Sequence, residues 1–347
     1  MRKNLFLSFS VLIAVLATVF FISCGGSGGG GLSSGSVAFY VTDNPKDDYK
    51  QVTTTISGVQ LVHTGSGDTC DVWKPEQELD ITDLSSMLQL LDIVSCPARS
   101  YNRIHVEFDK EVVLTDMSDI TADCNFTSYK DKGNNPNVLQ CNGTTCFIDI
   151  NGSVNVFANQ SNELALDFEL NDFEVMDFNL PACSVTIKVS PLHASDIEKK
   201  HDNGYIEGIS GYITNLNTFE QSFTMTSGSE TFTVSYDNVT TQQGIDDILN
   251  LATSEQLKIM VKASSINLDT KNIIASSIYV EVEGTVSGLD DINTKTFTLN
   301  YQTGKTMTVD YNNAEVKGVL VDNVNVEIKL NGYDGSNYLT EEVKAIN

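Results

Sequence analysis

Leu164-Ala-Leu-Asp-Phe-Glu-Leu170 places an apolar side chain at 164, 166, 168 and 170 and admits acidic residues into the gaps. A period of two belongs to a β-strand with one face buried and one wet, because successive side chains leave opposite faces of the pleat. The same beat returns at Val37, Phe39 and Val41, at Ile104, Val106 and Phe108, and at Val185, Ile187 and Val189. Together these runs predict an all-β chain whose first domain, residues 36–195, is an antiparallel β-sandwich.

Two segments break the beat. Asp83 reads as an N-cap followed by Leu84, Met87, Leu88 and Leu91 at helical spacing, which predicts a short helix packed on the sheet. Residues 116–145 are rich in Asn, Asp, Gly and Thr and read as a long stapled loop or small insertion. His105 falls out of phase with its buried neighbours and reads as a solvated strand residue. Residues 191–204 are polar and charged, so a linker is expected over 196–204.

Beyond that boundary the chain repeats itself. Gly208-Ile-Ser-Gly-Tyr-Ile213, Phe223-Thr-Met225 and Phe232-Thr-Val-Ser-Tyr236 are answered by Gly284-Thr-Val-Ser-Gly288, Phe297-Thr-Leu299 and Met307-Thr-Val-Asp-Tyr311. Leu257-Lys-Ile-Met-Val261 is answered by Val326-Glu-Ile-Lys-Leu330, and Ile274-Ala-Ser-Ser-Ile278 by Leu339-Thr-Glu-Glu-Val343. The offset shrinks along the copy, and the helix-like stretch 244–251 has no counterpart. Two tandem small β-barrel-like repeats, 205–281 and 282–347, are predicted. Units of that size are marginal alone and should pack on each other or on the first domain.

The other end of the chain carries an address. Arg2 and Lys3 precede an apolar run from Leu5 to Ile22, and Ser23-Cys24 leads into a tract dominated by glycine and serine. This is the layout of a lipoprotein signal peptide, residues 1–23, with Cys24 as the lipidated first residue of the mature protein. An uncleaved transmembrane anchor is the competing reading. Residues 24–35 read as a flexible tether, and the Gly31-Leu-Ser-Ser-Gly35 match to a hydrolase elbow within it lacks the strand-to-helix turn that such a motif needs. Acyl chains would hold the protein on a membrane, and Gly25 after the cysteine favours the outer membrane or cell surface of a bacterial envelope.

Loss of Arg2 and Lys3 leaves 19 of the 21 basic residues against 46 acidic ones, a formal charge of −27. Nucleic acid is thereby excluded as a partner, since its phosphates would be repelled. Six cysteines remain: Cys70, Cys96, Cys124, Cys141, Cys146 and Cys183. An even set in an exported chain reads as disulfides. Cys70 is expected to pair with Cys96, Cys124 with Cys141 or Cys146, and Cys183 with the one left over. Cys-x-x-Cys pairs are absent, and His63, His105, His193 and His201 lack zinc spacing.

Val37-Ala-Phe-Tyr-Val-Thr-Asp-Asn-Pro45, Leu79-Asp-Ile-Thr-Asp-Leu84, Cys96-Pro-Ala-Arg-Ser-Tyr-Asn-Arg-Ile-His-Val106 and Ile187-Lys-Val-Ser-Pro191 give the first domain a resemblance to the bacterial family called domain of unknown function 4382. Each repeat is similar to domain of unknown function 5666, a small barrel-like unit. The resemblance implies an envelope lipoprotein, and it offers no catalytic residues to carry over. Where relatives have Leu-Pro-Ala-Gly, this chain has Cys96-Pro-Ala-Arg.

No nucleophile, metal or phosphate constellation stands out, so no enzyme activity, no cofactor, no catalytic residue and no metal ligand is expected. The acidic clusters Asp43, Asp47, Asp48 and Asp116, Asp119, Asp123 lack the spacing of a calcium loop. Five Asn-x-Ser/Thr triplets, at Asn125, Asn142, Asn151, Asn159 and Asn238, read as polar surface. The leading expectation is a non-catalytic, lipid-anchored envelope protein, a surface scaffold or binding module with an envelope protein or polysaccharide as partner. The alternative is a carbohydrate-binding module, with or without calcium, in which Tyr40, Tyr49 and Trp73 stack on sugar faces.

Overall fold

The computed structural model describes residues 33–43, 49–74, 77–130, 136–178, 183–239, 241–290 and 292–346. The signal peptide, Cys24 and most of the tether lie outside the described residues, as do Asp47 and Asp48. The first part of the fold is built from β1 (Ser34–Asp43), β2 (Tyr49–His63), β3 (Asp68–Trp73), β4 (Gln77–Asp80), β5 (Met87–Pro97), β6 (Ser100–Asp109) and β7 (Glu111–Asp116). β8 (Thr121–Lys130), β9 (Pro136–Val138), β10 (Gln140–Asn142), β11 (Thr145–Asn155), β12 (Ser161–Phe168), β13 (Glu174–Met176) and β14 (Ser184–His193) complete it.

These strands form two sheets. One runs β5, β1, β12, β14, with β1 and β12 parallel. In the other, β10, β11, β6 and β2 follow in order, β7 also pairs with β2, and the sheet continues through β8 to β14. β14 serves both: 189–193 pair with β12 and 184–188 with β8. Every residue of the four alternating runs, from Val37 to Val189, points into the core between the sheets. The all-β class follows from that alternation.

The predicted wet face is not wet on β1. Ala38 and Tyr40 of β1, Leu88 and Leu90 of β5 and Ala165 of β12 are buried in a second core shared with the C-terminal half. Both faces of β1 are therefore covered, as a near-continuous apolar run from Val37 to Val41 allows. Two further expectations fail nearby. Ser34 and Gly35, assigned to the tether, are the first residues of β1, with Gly35 opposite Cys96. The helix after Asp83 is instead one 3-10 turn, Ile81–Leu84, capped by Asp80, and Met87, Leu88 and Leu91 belong to β5. Leu88 and Leu91 there face opposite cores, a division that a strand makes and a helical stripe does not.

The expected linker is structured as well. Helix α1 (Ala194–Asp202) follows β14 directly and buries Ile197. It delivers β15 (Ile206–Asn217) alongside β5, where Ile206 to Ile209 pair in parallel with Met87 to Leu90. The first sheet thus runs on into the repeats.

The first copy comprises β15, β16 (Ser222–Ser227), β17 (Glu230–Ser235), helix α2 (Ile245–Glu255), β18 (Lys258–Asn267) and the start of β19 (Asn272–Asp290). The second uses the end of β19, β20 (Thr296–Tyr301), β21 (Lys305–Asp310), β22 (Glu315–Lys317), β23 (Asn325–Tyr333) and β24 (Tyr338–Ile346). In the first, β15 pairs with β16, β16 with β17, β17 with β19, β19 with β18 and β18 with β15. The same circuit recurs through β19, β20, β21, β24 and β23. The expected boundary at 281/282 falls inside β19, which is one uninterrupted strand shared by both copies.

The pairing registers also correct the internal alignment. Gly211 lies opposite Ile259 and Gly284 opposite Val326, so Ile259, not Leu257, answers Val326. Gly211, not Gly208, answers Gly284. A Cβ at Gly211 would stand 2.2 Å from the Thr226 carbonyl oxygen, and one at Gly284 2.5 Å from that of Asn300. Only glycine permits that backbone approach.

Three disulfides close the sandwich. Cys70–Cys96 is the expected pair, whereas the others are Cys124–Cys183 and Cys141–Cys146. The expected linkage of Cys124 to Cys141 or Cys146 is overturned by strand order. β8 and β14 are parallel neighbours, which sets Cys124 beside Cys183, while Cys141 and Cys146 face each other across the β10–β11 hairpin. Among the described residues of 116–145 most are accordingly strand, and the segment is not one loop. With sequence separations of 59 and 5, chain entropy makes Cys124–Cys183 worth about 4 kcal/mol and Cys141–Cys146 about 2 kcal/mol. Replacing each pair by alanines should lower stability in that order, read from denaturant midpoints, and non-reducing peptide mapping should recover these three pairings.

Candidate functional site

The turn after β4 carries two aspartates with different tasks. Asp80 Oδ1 accepts from the Thr82 backbone N–H at 3.1 Å, the Thr82 hydroxyl at 2.6 Å and the Val52 N–H at 3.2 Å, which fixes the turn. Asp83 is thereby held against the second copy. Its Oδ1 lies 2.6 Å from Lys317 Nζ and its Oδ2 2.5 Å from Lys329 Nζ. Glu342 Oε2 and Oε1 meet the same two ammoniums at 2.8 and 2.9 Å. Two carboxylates and two ammoniums thus form a closed, charge-balanced ring.

Strand alternation puts the ring where it is. Val326, Ile328, Leu330 and Val343 point into the core of the second copy, so Glu327, Lys329, Glu342 and Lys344 leave by the opposite face. Cross-strand register sets Lys329 against Glu342 and Glu327 against Lys344. Lys317 comes from β22, in the segment that stands where the first copy has helix α2. In the first copy the places of Glu327 and Lys344 are held by Met260 and Tyr279, which pack into the sandwich core. One repeat docks on the sandwich through apolar side chains and the other through charges.

Lys317, Lys329, Lys344 and Glu342 are all buried. Burial by itself would push the Lys329 ammonium down, but Asp83 and Glu342 outweigh it and hold its pKa well above the ordinary lysine value. Burial would likewise raise Asp83, and Lys329 and Lys317 reverse that and hold it well below the usual carboxylate range. Asp83 and the two lysines thus sustain one another's charge.

A cleft of about 510 Å³ opens beside the ring, between β4 and the sheet of the repeats. Asp80, Tyr212, Glu283, Glu327 and Lys344 are among its walls. Glu283 and Glu327 lie directly opposite each other on β19 and β23. Burial pushes the Glu327 carboxyl up to about 7, Glu281 and Asp83 add to this, and Lys344 and Lys329 oppose it. Among the described residues Glu327 makes no ion pair.

The residues singled out from sequence lie elsewhere. Tyr40 and Trp73 are 1% and 4% exposed, so neither offers a stacking face, and Tyr49 is half-buried beside Phe178. His105 does sit on the outer face of β6, where Nδ1 meets Asp149 Oδ1 at 2.8 Å and the ring packs on Phe147. Asp116 Oδ1 accepts from the Ser118 and Ile120 backbone N–H groups within its own turn, and Asp119 pairs with Lys50 at 2.7 Å. Asp43 Oδ1 accepts from the Leu170 N–H. These acids are engaged locally and do not converge. Sequence reading missed the ring because Lys329 and Glu342 read as the wet face of a strand and Asp83 as a helix N-cap.

The family model described as Domain of unknown function (DUF4382) matches residues 34–178. The sandwich, short of β14, fits that family. No curated protein matches the chain. Among the described residues, no helix is long and apolar enough to cross a membrane.

Removing Asp83 leaves two buried ammoniums sharing one carboxylate. Asp83→Ala should cost about 3–5 kcal/mol, visible as a lower denaturant midpoint. A second outcome concerns pH. With a folded pKa of about 7 against an ordinary 4.5, Glu327 contributes stability that is complete below about 4.5 and is lost as pH rises toward 7. Glu163 and Glu207 are also raised by burial. Glu327→Gln should therefore flatten, without abolishing, the fall in unfolding free energy across that window.

Proposed function

We propose that this chain is a non-catalytic, lipid-anchored protein of a bacterial cell envelope, in which the sandwich and two barrel-like repeats form one surface scaffold or binding module. The observation that carries the reading is the pairing of all six cysteines beyond Cys24 into three disulfides. Such bonds persist in an oxidising compartment, which is where a signal ending at Ser23-Cys24 would deliver the chain. The closed pairing circuits of the two copies support reading each as a small barrel of the kind found in domain of unknown function 5666. A charge of −27 keeps the module clear of nucleic acid and of anionic headgroups.

Carbohydrate recognition is the second reading, and one observation favours it. The 510 Å³ cleft at the junction of sandwich and repeats has the size and placement of a small-molecule site. The sandwich aromatics Tyr40 and Trp73 are buried and take no part in it.

Lipidation is tested at Cys24. The wild-type chain should incorporate a palmitate analogue and lose residues 1–23, while Cys24→Ala should take no label and remain a precursor. An unlabelled wild type that retains residues 1–23 would show a transmembrane anchor in place of a lipid.

A further inference from the structure

The junction cleft contains a hydrogen-bonding pair that the protein itself leaves incomplete. Asp80 and Lys344 both line it, and their side chains are 2% and 4% exposed. Asp80 Oδ2 accepts no hydrogen bond. Among the described residues its nearest cations are Lys344 Nζ at 3.5 Å and Lys317 Nζ at 3.9 Å, and the Lys344 ammonium donates no hydrogen bond. A buried acceptor and a buried three-proton donor without hydrogen bonds are costly in a folded protein. Asp80 Oδ2 is sealed from the cleft, so a group bound there meets Lys344 and must accept from it. A hydroxyl can do so and an ammonium cannot.

The rest of the wall agrees with hydroxyl chemistry. Glu283 and Glu327 add acceptors, and Gln77 carries an amide that both donates and accepts. Tyr212 reaches the same cleft from β15 and is 49% exposed, a free aromatic face at the edge of a polar pocket. An aromatic ring beside carboxylates and amides suits a ring with apolar C–H faces and a polar rim. The other two lysines of the wall are already committed to carboxylates: Lys258 to Glu281 at 2.9 Å and Lys329 to Asp83 and Glu342. Glu78 and Glu283 leave the cleft with surplus negative charge, which disfavours uronic acids and phosphorylated sugars.

We propose that this cleft binds a neutral oligosaccharide of one or two rings, with Tyr212 stacking on a sugar face and Lys344 donating to one of its hydroxyls. The assignment rests on the carbohydrate reading and moves its site from the sandwich aromatics to the junction with the repeats. Glu327 stands across from Lys344 and would gain a hydroxyl partner of its own.

The full chain in detergent is screened on an array carrying neutral, amino-bearing and uronic-acid oligosaccharides, and hits are titrated calorimetrically. Neutral glycans should bind, and Tyr212→Ala, which alters an exposed side chain, should weaken them about tenfold. Lys344→Met tests the hydroxyl contact and Glu283→Gln the rim, each with its melting temperature compared with wild type. His105→Ala, on the far sheet face, should bind as wild type does. If glycans bind and Tyr212→Ala and Glu283→Gln leave affinity unchanged, the cleft is not the site although the carbohydrate reading stands. If no glycan on the array binds, both fall. Preferential binding of amino-bearing or uronic-acid probes would overturn the ligand class.

Discussion

Two carboxylates and two ammoniums, Asp83, Lys317, Glu342 and Lys329, close into a ring at the contact between the sandwich and the second repeat. Taking four charges out of water costs several kcal/mol per ion, and their mutual attraction offsets this only when every member is in place. The ring therefore tolerates little displacement. Asp83 is fixed through the turn that Asp80 caps, and Lys329 and Glu342 through the β23–β24 register. A shift of one residue in either would strand a charge. Apolar contacts such as those of Met260 and Tyr279 bind the other repeat more forgivingly, because burial of hydrocarbon has no preferred direction. The first copy is thus joined to the sandwich by apolar burial and the β15–β5 pairing, and the second by directed charges.

Much of this fold is legible in the chain because its physics is local. Alternation at Val37–Val41, Ile104–Phe108, Leu164–Leu170 and Val185–Val189 is enough to orient the sandwich core, and all of those side chains are in it. Cys70–Cys96 is likewise legible, as the pair that flanks the segment holding Trp73. What escaped depends on contacts between distant strands. Cys183 meets Cys124 only because β14 enters beside β8, in parallel, 59 residues later. Asp83 attracts notice as a polar residue before an apolar stripe, yet the stripe is read correctly only when β15 is known to pair with β5 and to give its second face a core.

The site was hidden for a related reason. Val326-Glu-Ile-Lys-Leu330 is a strand with one apolar and one charged face, and a charged face is ordinarily a solvated one. Here a second layer covers it. The available signal was an asymmetry between the copies: where the first has Met260 and Tyr279 on that face, the second has Glu327 and Lys344, and the sequence alignment slipped two residues at that point. A correct register would have shown one covered face answered by charges, a pattern that calls for partners of opposite sign on whatever covers it.

Those charges also explain why the cleft lies beside the ring and not elsewhere in the junction. A face bearing Glu283, Glu327 and Lys344 cannot be pressed flat against a partner unless each group finds a counter-charge or a hydrogen bond. Asp83 and Glu342 meet that demand for Lys317 and Lys329, and closure is complete there. One strand position further along, Asp80 approaches Lys344 only to 3.5 Å, and Glu327 faces Glu283 and makes no ion pair among the described residues. The halves can close no further without burying unpaired charge, so the surface parts and a polar space remains. The same arithmetic that locks one side of the junction holds the other side open.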